Sequence, residues 1–139
     1  MAGNKDPHWQ PISALPLLTK AIDGMREAAE AQHQNLQEAR QRAYVLDDAT
    51  VERVIRVFTT QANDLWLYGE QLARWQKIPL STTQRQEVER LGNQLIRLRT
   101  VVQNILALAE ELKTLTIEKV LEMSNEEVAL VVLSGKLKR

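Results

Sequence analysis

Apolar side chains recur along this chain in alternating steps of three and four residues. From Leu15 the series runs through Leu18, Ile22, Met25, Ala29, Gln32, Leu36, Ala39 and Ala43. Such spacing places every member on one face of an α-helix. It predicts a first helix of about 30 residues, on the order of 45 Å long. Ser13 stands where an N-cap belongs, and Pro16 suits a first helical turn. The pattern breaks at YVLDD. Asp47 is the next candidate N-cap, with Leu46 and Val51 placed as a hydrophobic staple.

A second stripe follows: Val51, Val54, Phe58, Gln61, Leu65, Tyr68, Leu72 and Trp75. Pro79 closes it. Ser81 with Gln84 forms a capping-box signature, and the third stripe is the most regular: Val88, Leu91, Leu95, Leu98, Val102, Ile105, Ala109, Leu112. Val101, Leu106, Leu108 and Leu115 widen its second half, which therefore needs a further partner. Residues 116–123 read as a short helix. Ser124 with Glu127 reads as another capping box ahead of a last apolar turn or two, and Gly135 reads as a stop. With short loops, long neighbours run antiparallel. The expected fold class is all-α: an antiparallel bundle of three long helices, with one or two short C-terminal helices packing back on helix 3. Residues 1–12 read as an extended N-terminal arm anchored by Trp9, and residues 13–139 as a single helical-bundle domain.

Charge narrows the function classes. Basic and acidic residues number 18 each, and the balance holds locally, with four or five of each sign in every predicted helical segment. No segment has the positive excess of a nucleic-acid or anionic-membrane surface, so nucleic acid is not the expected partner. The absence of cysteine excludes disulfides, thiol catalysis and thiolate metal sites. The longest apolar run, VALVVL, is far too short to span a bilayer. No transmembrane segment is expected, the first residues lack a signal-peptide pattern, and a cytoplasmic protein is the expectation.

Antiparallel pairing also predicts layers. A hairpin folded around the 46/47 junction sets Gln32 against Gln61, the one strongly polar member of each stripe. Two amides there would bond one another as a buried polar layer that locks the register. The same register sets Gly24 beside Gly69, and a second hairpin folded around residue 79 brings Gly92 level with Trp66. Helical glycine costs about 1 kcal/mol against alanine. Three at one level suggest room for bulk, close backbone approach or an enclosed pocket.

Three of the six aromatic residues lie in DLWLYGEQLARW, residues 64–75. Tyr68 and Trp75 belong to the core stripe. Trp66 lies one position off it, among the small residues Ala62, Gly69 and Ala73, and Leu67 points further round among Asn63, Glu70, Gln71 and Arg74, where exposure is expected. Trp66, Leu67, Ala62, Gly69 and Ala73 form the candidate interaction surface, because Trp and Tyr are favoured interface anchors.

No catalytic set assembles. Glu30 and His33 form E-x-x-H, the spacing of di-iron helical bundles, but the second motif and the further carboxylates are missing. Arg26 and His33 lie two turns apart on one face. That pair resembles the closely spaced Arg and His of HEPN-type helical ribonucleases, although those carry it late in the domain and this chain carries it in the first helix. Arg26, Glu30 and His33 are thus the acid–base candidates of an alternative reading as a bundle-type ribonuclease or metal site. No Gly-rich phosphate loop, nucleophile elbow or H-E-x-x-H occurs, and no cofactor is expected. The leading expectation is a non-enzymatic helical-bundle interaction protein, an adaptor, accessory subunit or regulator, working through a protein partner or as a homo-oligomer.

Overall fold

The computed structural model describes residues 7–122 and Leu130. Within them the architecture is all-α. A 3-10 turn, Ile12–Ala14, leads into α1 (Leu15–Ala39); a second 3-10 segment, Arg40–Val45, joins it to α2 (Asp48–Gln76); α3 spans Thr82–Lys113 and α4 Ile117–Leu121.

Capping chemistry fixes two of the starts. Asp47 Oδ1 accepts the Thr50 amide at 2.7 Å. Ser81 and Gln84 complete a reciprocal capping box, with bonds of 3.1 and 2.9 Å that satisfy two otherwise orphaned amides. Ser13 does not cap α1: it lies inside the 3-10 turn, and the α-helix starts from Ala14 without a side-chain cap, with Pro16 in its first turn. α1 is also shorter than its apolar stripe. It ends at Ala39, and Arg42 leaves helical geometry at φ −137°, ψ 43°.

The heptad rows separate by burial. On α3 both rows are buried, from Val88 and Leu91 through Ala109 and Leu112. On α1 one row is buried (Leu15, Ile22, Ala29, Leu36), while the other (Leu18, Met25, Gln32, Ala39) is half-buried. On α2, Val51, Leu65, Leu72 and Trp75 are buried, and Val54, Phe58, Gln61 and Tyr68 are half-buried. The cause is the helix arrangement: α1 and α2 each pack along α3 but hardly approach one another. α3 is the spine, and a groove remains between its two neighbours.

Polar pairs lace α1 to α3 in parallel register. Thr19 Oγ1 donates to Glu87 at 2.7 Å, Arg90 forks onto Asp23 at 2.9 and 3.2 Å, and Arg97 Nε reaches Glu30 at 2.8 Å. At the far end Arg40 forks onto Glu111 at 2.7 and 2.9 Å. Beyond α3 the chain reverses, and α4 is held to the α1–α2 junction. The Ile117 amide donates to the Leu46 carbonyl at 2.6 Å, the Asp48 amide to Glu118 at 3.0 Å, and the fully buried Thr116 gives its hydroxyl to Asp48. The expected Ser124–Glu127 capping box, the last apolar turns and Gly135 lie outside the described residues.

Candidate functional site

The arm is built into the bundle by one amide and one indole. Gln71 on α2 takes the Gln10 backbone N–H at 2.7 Å and returns an N–H to the Gln10 carbonyl at 3.3 Å. Trp75 Nε1 donates to the same carbonyl at 2.9 Å. A side-chain amide bonded in this way substitutes for a neighbouring strand, satisfying both polar groups of one extended residue. Gln71, expected among exposed neighbours, is in fact 5% exposed.

This clasp sets Trp9 against α2. Its ring meets that of Trp66 edge-on, with centroids 6.5 Å apart at 72°, a favoured aromatic geometry. The Arg74 guanidinium lies 4.3 Å from the Trp9 ring centroid. Trp66 nevertheless keeps 54% of its surface exposed, while Ala62, Gly69 and Ala73 beside it are half-buried, as is Leu67, which was expected to be exposed. The reason is the arm: Leu67, Trp9 and Gln71 line one cleft of about 490 Å³ with Trp66, Tyr68, Asp64 and Leu18.

The layer of three glycines is not a site. A Cβ at Gly24 or Gly92 would meet nothing within 4 Å, so neither opens room for a neighbour. Only Gly69 is closely approached, by Arg99 Nη2 at 2.9 Å and Leu95 Cδ2 at 3.4 Å. That places Gly69 opposite Leu95, so Trp66 is not level with Gly92. Ile78 before Pro79 is biased toward extended backbone, and an extended connection advances the chain along the bundle before α3 begins.

Gln32 and Gln61 are both half-buried on the α1/α2 groove. No hydrogen bond joins them among the described residues, and Gln61 Oε1 is buried without a partner. The wide α1–α2 separation accounts for it, because the amides were expected to meet across a close helix pair.

Arg26, Glu30 and His33 do not assemble as acid and base. Glu30 is engaged by two guanidinium groups, Arg26 at 2.5 Å and Arg97 at 2.8 Å. His33 lines a separate shallow cleft of about 270 Å³ with Arg40 and Glu111, and those two are bonded to each other. Among the described residues no group of three or more His, Asp or Glu is placed to hold a metal ion. No helix among them is long and apolar enough to cross a membrane.

The outer surface of α1 beside the groove has a distinct character. Leu17, Ala21, Gly24, Ala28, Ala31 and Asn35 follow one another at helical spacing without a charge. Leu17 is 72% exposed, and Gly24, Ala28, Ala31 and Asn35 are exposed too. Asp23 and Glu30 of α1, and Arg40 just after it, pair with α3, and Arg26 pairs with Glu30, whereas Lys20, Glu27 and Glu38 are exposed and border the uncharged positions one turn away.

No protein-family model, curated protein or solved structure matches the chain. Two features of this region escaped sequence reading. Gln71 carries no local sign that it will clasp a residue 61 positions earlier. The uncharged positions from Leu17 to Asn35 stand in the sequence as the complement of the core stripe, but their exposure depends on which side of α1 the other helices cover.

Proposed function

We propose that this chain is a non-enzymatic helical-bundle interaction protein, an adaptor, accessory subunit or regulator, that binds a protein partner or a second copy of itself through α1. The observation that carries this reading is the uncharged face from Leu17 to Asn35, bordering a groove whose rows stay half-buried. A free helix surface ordinarily alternates charges with its polar residues, whereas the centre of an interface is depleted of them. This face takes precedence over the Trp66 surface, since Trp66 already spends a ring contact on Trp9. A cytoplasmic setting belongs to the same reading and fits a chain without cysteine.

The test is light scattering on the purified chain combined with affinity capture from the source cells, repeated with Ala28→Glu. Ala28 is exposed, so the substitution leaves helicity and melting unchanged. The reading expects a dimer mass or a stoichiometric captured protein that Ala28→Glu abolishes. A monomer at all concentrations with nothing captured overturns it, as does binding indifferent to Ala28→Glu.

A further inference from the structure

The geometry points to the cleft between the arm and α2 as a binding site for a small quaternary ammonium group, independent of the interaction proposed for α1. Three of the chain's six aromatic side chains, Trp9, Trp66 and Tyr68, line this one cleft. Trp9 and Trp66 stand nearly perpendicular, at 72°, so they form two differently directed walls. Such walls offer the negative faces of their π-systems to a cation.

The charges around the cleft select the ligand's sign. Asp64 is the one carboxylate among the described residues of the lining, and it makes no hydrogen bond or ion pair with another described residue. Among the described residues no lysine or arginine lines the cleft, and His8 is its one imidazole. Arg74 lies over the Trp9 ring, and its guanidinium is drawn toward Glu70 at 3.3 Å. This is a cation already held on one of these rings by the chain itself. The one basic side chain an anion finds among the described residues of the lining is the His8 imidazole, while a cation has aromatic faces and the Asp64 carboxylate.

The polar inventory then selects among cations. A primary ammonium brings three N–H groups that need acceptors when it leaves water, and the Gln71 amide in the lining is committed to the Gln10 backbone. A metal ion needs several lone-pair donors, and among the described residues no group of three or more His, Asp or Glu is placed here to supply them. A trimethylammonium group has no N–H to satisfy, carries its charge diffusely, and is the cation that aromatic cages recognise. The source is a free choline-type metabolite or a trimethylated lysine side chain, and the two share this head group.

The experiment follows the N-methyl proton resonance of choline during titration with the full chain. Acetyl-trimethyllysine amide serves as the second probe, and dimethylbutanol, the uncharged carbon isostere of choline, as the control. We expect saturable binding with an upfield ring-current shift, about tenfold tighter for a cation than for the isostere, the equivalent of a cation–π contact between the exposed and the fully desolvated limits. The tighter of the two cations identifies the source. Trp66→Ala, at an exposed position that does not endanger the fold, loses the upfield shift, and Asp64→Asn weakens binding while leaving the shift at saturation intact. Equal binding of the isostere, absence of saturation by either cation, or an unchanged shift with Trp66→Ala each overturn the assignment. None of these outcomes bears on the α1 face, which is read by mass and capture.

Discussion

The indole Nε1 of Trp75 donates to the backbone carbonyl of Gln10 at 2.9 Å. This bond joins the core to the arm. Trp75 is 2% exposed and belongs to the main apolar cluster, so its ring orientation is set by packing, and the N–H it must satisfy is spent on the chain that passes over it. Gln71, one turn earlier, completes the attachment from the same side.

Gln71→Ala is therefore expected to free the arm without unfolding the bundle. It removes both bonds to the Gln10 backbone and leaves a partly buried N–H unpaired, at a cost of about 1–3 kcal/mol. Hydrogen exchange at the Gln10 amide will quicken sharply, and the Trp9–Trp66 contact will loosen, while exchange across the middle of α3 changes only by the global loss of stability. Unchanged exchange at Gln10 would show that the apolar contact of Trp9 alone holds the arm.

Gln61→Met is expected to stabilise the fold. The acceptor at Gln61 Oε1 is buried without a partner, and a thioether of similar volume removes that penalty while keeping the packing. The gain is about 1 kcal/mol, read as a higher urea midpoint at constant slope. Gln32→Met, at the other half-buried amide, should be close to neutral. A loss of stability in Gln61→Met would show that its amide is satisfied after all.

Much of this architecture is written in the heptads. The rows from Leu15, Val51 and Val88 specify three helices, and Asp47, Ser81 and Gln84 mark two of their starts, because these signals are local. What the sequence could not carry was which rows would end half-buried. Leu18, Met25 and Gln32 read like Leu15, Ile22 and Ala29, yet the difference depends on how far α1 stands from α2, a property of three helices together. The Gln32–Gln61 and three-glycine layers failed for the same reason, since both assumed closely paired hairpins in a simple register. At the candidate sites, the position of Trp66 off the core stripe was visible, but its contact with Trp9 rests on Gln71 recognising a backbone far away in sequence.

The Asp23–Arg90–Glu87 cluster gives the fold an acid-sensitive component. The hydrogen bond from Arg90 holds the Asp23 carboxyl below its ordinary 3.8, against the opposing effect of burial, and Gln94 adds to the lowering. Arg90 likewise holds Glu87 below its ordinary 4.5, with help from the Thr19 hydroxyl. Both groups bind protons less readily in the folded chain than in the unfolded one. Their contribution is thus fully present above pH 4.5 and is lost as pH falls through their lowered folded values, which lie below 3.8 for Asp23 and below 4.5 for Glu87. Arg90→Ala should cost about 0.5–1 kcal/mol at neutral pH, as expected for a partly solvated ion-pair network. The difference from the parent chain should shrink toward zero in strong acid. A deficit that stays constant with pH would assign the loss to packing of the arginine stem.

The glycines separate helix propensity from contact. At Gly24 and Gly92 an added methyl meets nothing within 4 Å, and none of the described glycines has positive φ. Alanine there removes backbone freedom from the unfolded chain without a collision, so each substitution should stabilise by about 0.5–1 kcal/mol. At Gly69 the same methyl would lie 2.9 Å from the end of Arg99 and 3.4 Å from Leu95. The guanidinium is the far end of a flexible side chain and can swing aside, but Leu95 is packed in the core. Gly69→Ala should therefore gain less than the other two, or nothing. Melting temperatures of the three single variants measure the order, and a gain at Gly69 equal to that at Gly92 would mean that the α2–α3 contact is looser than its geometry implies. Gly24→Ala carries a second reading, because Gly24 lies on the uncharged face of α1. If that face docks closely against another helix, the methyl that stabilises the free chain should weaken association. Opposite signs for melting and for binding in this one variant would assign the glycine to the interface.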